Sequence, residues 1–121
     1  MNSSANLVLV TGAAGWLGSR LVESLQRGLP DHPALARPPK DLRLRLLLLP
    51  GQDANAPRSG SGQVEIVTGD VRNPDDCARF CRDAAGATLL HTAGIIHPRR
   101  VSEFYAINRD GTMNLLDAAI R

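Results

Sequence analysis

A chain of 121 residues can bury one hydrophobic core and no more, so it reads as a single domain or a piece of one. Its 14 Lys and Arg barely exceed its 12 Asp and Glu, the basic residues are scattered and aromatics are few, which argues against a nucleic-acid surface. The longest apolar run, Leu46–Leu49 extended back through Leu42 and Leu44, is too short to span a bilayer and is broken by Arg43 and Arg45. With no basic and apolar leader at the start either, a cytoplasmic protein without membrane contact is expected.

In chain order, Leu7–Val10 is a short continuous apolar run of the kind buried on both faces of a parallel sheet. A glycine-rich turn follows, then a helix from about Trp16 to Arg27, with Leu17, Leu21, Val22 and Leu25 as its buried stripe and Gly28 to Pro30 as its stop. Residues 29–41 form a proline-rich loop, Leu42–Leu49 the second strand, and residues 52–63, rich in Gly, Ser, Ala and Asn, a flexible connection dispensable to the fold. The third strand is Val64–Thr68. Asn73-Pro74-Asp75-Asp76 then supplies a cap, a proline for the first helical position and acidic residues for the positive end of the dipole. Cys77, Phe80, Cys81, Ala84 and Ala85 recur at helical spacing, so this helix is expected to run to Gly86 with both thiols toward the sheet. Two cysteines make neither a zinc set nor a disulfide framework; they read as reduced core thiols, and no metal site is expected. A fourth strand over Ala87–Thr92, a turn at Ala93 and Gly94, a loop at His97–Arg100 and a last helix over Ser102–Ile120 complete the chain.

Strands alternate with helices, the pattern of right-handed crossovers in an α/β doubly wound parallel sheet, with expected strand order 3-2-1-4. Such sheets bind ligands beyond the carboxyl ends of their strands, where the order reverses between strands 1 and 4. The turn after strand 1 lies there. Gly12 admits a backbone conformation closed to residues with a Cβ, Gly15 lets the main chain approach an anion, and Gly18 lets the helix pack closely on the strand. The helix aims unpaired N–H groups and its positive end at whatever binds, which suits a pyrophosphate. A nucleoside triphosphate loop needs a Lys that Trp16-Leu17-Gly18-Ser19 does not offer. The plain alternative is a tight corner with no ligand.

Four segments in register resemble one family, the extended short-chain dehydrogenase/reductases, which include the NAD-dependent epimerase/dehydratases and 3β-hydroxysteroid dehydrogenase-like proteins. Thr11-Gly12-Ala13-Ala14-Gly15-Trp16-Leu17-Gly18 is similar to its TGxxGxxG, Gly69-Asp70-Val71 to its GD(V/L), His91-Thr92-Ala93-Gly94 to its HxAA, and Asn108-Arg109-Asp110-Gly111-Thr112 to its NVxGT. The resemblance implies a Rossmann-like fold, incomplete at its C-terminal side, with residues 1–121 as the N-terminal part of a dinucleotide-binding domain. It implies a cofactor site of Gly12, Ala14, Gly15, Trp16, Leu17, Gly18, Asp70, Val71, Ala93 and Gly94. Asp70 would accept from the adenine amino group and the Val71 amide would meet the ring, while Ala93 and Gly94 would leave room for ribose and pyrophosphate. Asn108 reads as a buried clamp on neighbouring backbone and Gly111 as a close-packing position, the two sharing one helix face toward the sheet. His91 reads as a core histidine with satisfied hydrogen bonds.

In that family hydride chemistry needs a Tyr-x-x-x-Lys pair, whose lysine favours the phenolate. Here the one tyrosine, Tyr105, and the one lysine, Lys40, cannot form it, and Tyr105 reads as packing. No catalytic residue is therefore assigned. The expectation is the N-terminal half of a longer enzyme, inactive alone, acting in full on a hydroxyl or carbonyl carbon of a nucleotide-sugar or sterol-like substrate. A homodimer is allowed for the full-length protein. The alternative is a non-catalytic dinucleotide-binding or redox-sensor module of the same fold. For the cofactor, NAD or NADP, Asp53 tips the balance slightly to NAD, with Arg58 as the NADP candidate. Arg99 and Arg100 read as a solvated loop that could also meet a substrate diphosphate.

Overall fold

The computed structural model describes residues 6–38, 40–52 and 63–121. Strands β1 (Leu7–Thr11), β2 (Arg43–Leu48), β3 (Gln63–Thr68) and β4 (Thr88–His91) form one parallel sheet in the order β3-β2-β1-β4. That is the expected order, and the sheet is Rossmann-like. Helix α1 (Trp16–Arg27) follows β1, α2 (Pro74–Phe80) follows β3, and a last helical stretch follows β4. That stretch comprises α3 (Val101–Glu103), a π-helical segment Phe104–Gly111 and α4 (Thr112–Ile120). The loop expected over 29–41 contains one 3₁₀ turn, Pro33–Leu35. The connection expected over 52–63 falls almost wholly outside the described residues, as do Asp53 and Arg58.

Alternation along the strands divides the core. On one face Leu7, Leu9 and Leu47 pack with Val71, Cys77, Phe80 and Leu115 beneath α2 and α4. On the other Val10, Leu42, Leu44, Leu46 and Leu48 pack with Ala13 and Val22 of the first loop and α1. Because successive side chains of a strand point to opposite faces, Arg45 must join Leu47 on the α2 side. It is almost wholly buried there. Its Nη1 donates to the carbonyl oxygens of Phe80 (2.9 Å) and Arg82 (2.7 Å), and its Nε to Glu65 Oε1 (2.6 Å).

That arginine sits at the main departure from the expected elements. Asn73 caps α2 as predicted, its Oδ1 accepting from the amides of Asp75 and Asp76. The helix nevertheless ends at Phe80 rather than at Gly86, and Asp83 has a positive φ of 54°. Where the helix stops, the carbonyls of Phe80 and Arg82 lack helical partners to continue it, and Arg45 meets both. A cation is also favoured at the negative end of a helix. Cys77 still lies in the core and Cys81 beside it, and burial first, with Cys81 and two aspartates adding, pushes the Cys77 thiol up to about 11. It is a core thiol, protonated at neutral pH.

Leu17 is also not where its spacing predicts, being 53% exposed. The first turn of α1 approaches the preceding loop through Gly18, where an added Cβ would stand 2.0 Å from the Gly12 carbonyl oxygen, and this turns Leu17 outward. Val22 is buried in the helix interior as expected.

Replacing Arg45 by Met keeps the apolar stem but removes the guanidinium from the Phe80 and Arg82 carbonyl groups. Urea unfolding of Arg45→Met should show a loss of about 2–3 kcal/mol, the usual penalty for buried groups deprived of a charged partner. An unchanged midpoint would mean that the guanidinium does not stabilise the end of α2.

Candidate functional site

The carboxyl ends of all four strands converge on a cleft of about 260 Å³. Gly12 and Gly15 come from the first loop, Leu47, Leu49 and Gln52 from the end of β2, and Gly69 through Arg72 from the end of β3. Thr92 through Ile95 and Ile107 close it from the β4 side. Six of the ten residues expected at the site therefore line one cavity: Gly12, Gly15, Asp70, Val71, Ala93 and Gly94. The other four do not. Gly18 is buried behind the loop, whereas Ala14, Trp16 and Leu17 are exposed outside the cleft, Trp16 to 86%.

The loop geometry follows from its glycines. Gly12 has a φ of +70°, and a Cβ there would meet Thr92 Oγ1 at 2.6 Å and the Ala93 nitrogen at 2.8 Å. The Gly15 amide donates to the Gly12 carbonyl (2.9 Å), and Gly15 then serves as N-cap of α1 with no side-chain cap and no acidic residue in the first turn. The positive end of α1 thus has no carboxylate in its own first turn to compensate it. A dinucleotide pyrophosphate fits such a cradle on three counts: the glycine backbone is bare, Gly15 faces open space apart from one carbonyl, and the first-turn amides have no intrahelical partner.

Thr11, which the sequence reading used only as part of a motif, organises the strand ends. Its pairing opposite His91 sets the two side chains together. Thr11 Oγ1 accepts from the amides of Thr92 (3.0 Å) and Ala93 (3.1 Å), so its own hydrogen goes to His91 Nδ1, 2.6 Å away. Thr112 Oγ1 donates to the Asn108 carbonyl (2.7 Å), so it accepts from His91 Nε2 (2.9 Å). The network therefore requires a neutral imidazole carrying its proton on Nε2. His91 is the satisfied histidine that was expected. Burial also pulls its pKa below the usual 6.5.

The π-helical segment places two further residues. Asn108 brackets Ile95, its Nδ2 donating to the Ile95 carbonyl (2.9 Å) and its Oδ1 accepting from the Ile95 amide (2.8 Å). The clamp on neighbouring backbone is present, but Asn108 is exposed rather than buried. Gly111 is buried where a Cβ would stand 2.6 Å from Val71 Cγ2. Asn108 and Gly111 therefore face different neighbours instead of one, because a π turn is wider than the α turn on which their shared face was counted. Tyr105 is not packed either: it is 54% exposed, with the Arg109 guanidinium 5.1 Å from its ring centroid. Arg99 and Arg100 are exposed on the β4 side, and the Arg99 amide donates to Glu103 (3.2 Å). Cleft residues the sequence reading did not single out include Leu47, Leu49, Gln52, Arg72 and Ile107. Only the position of Leu49 at a strand's carboxyl end carried a signal.

The fold and the convergence of three of the four separated motifs on one strand-end cleft, with Asn108 of the fourth holding Ile95 at its rim, define a Rossmann-like module. The family model described as NAD dependent epimerase/dehydratase matches residues 8–121, and the chain belongs to that family. It is 47% identical over 116 residues to the uncharacterized protein y4nL of Sinorhizobium fredii, covering 96% of this chain and 32% of that protein. It is 32% identical over 114 residues to the ceramide reductase of Caulobacter vibrioides, covering 93% of this chain and 31% of the enzyme. The chain thus spans about a third of the length of these curated relatives. Among solved structures, the uronate dehydrogenase of Agrobacterium tumefaciens, as a mutant complexed with NAD, superposes with a TM-score of 0.65 at 26% identity, over 94% of this chain and 36% of that one. The Thermus thermophilus UDP-glucose 4-epimerase complex with NAD gives 0.69 at 26% identity, over 93% of this chain and 33% of that one.

Protonating His91 would set a second donor against a Thr11 oxygen whose lone pairs are already engaged. The unfolded chain takes up that proton first, so the stability contributed by neutral His91 is intact above about pH 7 and falls as the pH drops below 6.5 toward the lower folded value. Urea midpoints measured from pH 7.5 to 5 should decline for the wild type and be flatter for His91→Gln. Asp70 acts in a separate window, since Arg72 holds its carboxyl below the usual 3.8 and its contribution is lost only at more acid pH.

Proposed function

We propose that the strand-end cleft binds a nicotinamide dinucleotide, NAD in preference to NADP, and that the chain is the cofactor part of an oxidoreductase or epimerase. The observation that carries this reading is the N-terminus of α1, without a side-chain cap or an acidic residue in its first turn, opening onto the cleft beside Gly12 and Gly15. The amides after Gly15 would hold the pyrophosphate, and Asp70, Val71, Leu47 and Leu49 would hold the adenine end. Ala93 and Gly94 would leave space for the ribose. Ala14, Trp16 and Leu17 would flank the loop from outside, while Gly18 keeps helix and loop in contact. The preference for NAD rests on Asp53 and on the NAD complexes formed by the uronate dehydrogenase and the epimerase.

When bound, the nicotinamide supplies a hydride acceptor or donor. This chain's residues bind and orient; none is positioned as the proton-transferring tyrosine, which needs a lysine partner that Tyr105 lacks. In the whole protein that dyad would come from sequence beyond the matched third, and the substrate would be an alcohol or carbonyl compound, a nucleotide-sugar or a sterol- or sphingoid-like lipid. The uronate dehydrogenase, the UDP-glucose epimerase and the ceramide reductase mark that range. A dinucleotide-binding module without catalysis is separated from this by the presence or absence of a Tyr-x-x-x-Lys in any sequence the gene encodes after Arg121.

Gly15→Asp separates a phosphate cradle from a plain corner. Its φ of −81° is open to any residue, and a carboxylate at a helix N-terminus stabilises by about 0.5–1 kcal/mol while repelling an anion. Calorimetric titration with NAD should lose at least about tenfold in affinity in this variant although its urea midpoint is unchanged or higher. Trp16, the chain's one tryptophan, gives an independent fluorescence readout beside the loop. Undiminished NAD binding by Gly15→Asp would rule out the cradle.

A further inference from the structure

Both oxygens of the Asp70 carboxylate are held by one residue. Arg72 donates its amide to Oδ1 (2.9 Å), its Nε to Oδ1 and Oδ2 (3.1 and 3.0 Å) and its Nη2 to Oδ2 (2.6 Å). The backbone beneath is fixed as well. The Asp70 amide donates to Asp76 Oδ2 (2.9 Å), while Arg79 Nη2 ties Asp76 Oδ1 (2.9 Å) to the Thr68 carbonyl (2.8 Å). Two Arg–Asp pairs therefore set the turn after β3, and the Asp70 side chain has no free rotation at the cleft wall. A forked guanidinium fixes the plane of a carboxylate as well as its charge. Three N–H groups occupy an ion with about four acceptor sites, which leaves room for one further donor and none for an acceptor.

Apart from Gln52, whose Oε1 accepts from the Leu49 amide (3.0 Å), the remaining side chains at this end are apolar. Leu47, Leu49 and Val71 offer a flat base its faces but cannot tell an amino group from a carbonyl on its edge. Among the described side chains at this end, the negatively charged acceptor that can make that distinction is Asp70. An ionised carboxylate rewards a donor and repels a carbonyl oxygen, whereas a carboxyl that can turn away or take up a proton does neither consistently.

We propose that Arg72 is a positioning residue that makes Asp70 a base-selective acceptor, so that the cleft takes dinucleotides whose purine carries an amino group at position six and rejects those with a carbonyl there. This rests on the dinucleotide reading above and adds to it the residue that sets base selectivity. The low pKa of Asp70, caused first by its hydrogen bond from Arg72, agrees with a group kept ionised at every working pH.

The test compares NAD with nicotinamide hypoxanthine dinucleotide, which carries a carbonyl in place of that amino group and a hydrogen on the adjoining ring nitrogen, on the wild type and on Asp70→Asn, Arg72→Gln and Arg72→Lys. Dissociation constants come from calorimetry, and urea midpoints show that each variant is folded. The wild type should prefer NAD by about tenfold, the worth of one hydrogen bond exchanged for a repulsion. Asp70→Asn, whose amide offers both a donor and an acceptor, should bring the ratio near one. Arg72→Gln should lower the ratio severalfold with Asp70 still in place, and Arg72→Lys, restoring charge without the fork, should recover only part. If Arg72→Gln weakens both dinucleotides equally, Arg72 is merely structural and the proposal is overturned. A wild type that binds both equally overturns it too. A wild type that binds neither removes the dinucleotide reading itself, an outcome distinct from either.

Discussion

The loop after β1 closes because nothing stands between the Gly12 carbonyl and Gly18. A single Cβ at Gly18 would come within 2.0 Å of that oxygen, so any side chain would drive α1 away from the strand it follows. From this contact comes the direction of the helix, and from its direction the exposure of its first-turn amides at the strand ends. The same contact turns Leu17 out to solvent. One packing constraint thus sets both what the loop can bind and which residues of its motif are left outside the cleft.

Around that loop the strand ends are tied by polar side chains. Thr11, His91 and Thr112 run from β1 through β4 to α4 in one directional set of hydrogen bonds, and Asn108 holds the Ile95 backbone beyond it. The Asp70–Arg72 and Asp76–Arg79 pairs fix the turn after β3. These groups place backbone amides and one carboxylate around an apolar slot, an arrangement that orients a ligand by few contacts and holds it by many weaker ones. Far from the cleft, Arg45 does comparable work inside the core by holding the carbonyls at the end of α2.

Strand order, the start of α1 and α2, and the residues at each strand end were legible because they depend on local chemistry. Apolar runs between turn signals, Asn73-Pro74 at a helix start and glycines after a strand carry their meaning wherever they fold. The end of α2 was not legible, because the group that meets its last carbonyls is an arginine 35 residues earlier than Phe80. Nor was the divergence of Asn108 from Gly111, since counting on an α period assumes the turn that the π segment replaces. Tyr105 illustrates the same limit: an aromatic in a helix reads as core, yet the face that carries it has no strand beneath it among the described residues.

By itself the sequence determined the alternation of strand and helix, the glycine turn, the family resemblance and the lack of a Tyr-x-x-x-Lys pair in this chain. Only the tertiary structure decided that six of the ten expected residues share one cavity, that His91 is neutral with its proton on Nε2, and that Arg72 governs the Asp70 carboxylate. The division has a physical cause. Backbone preferences and hydrophobic period are written within a few residues of one another, whereas a side chain's protonation, partners and aim depend on groups brought beside it from distant parts of the chain.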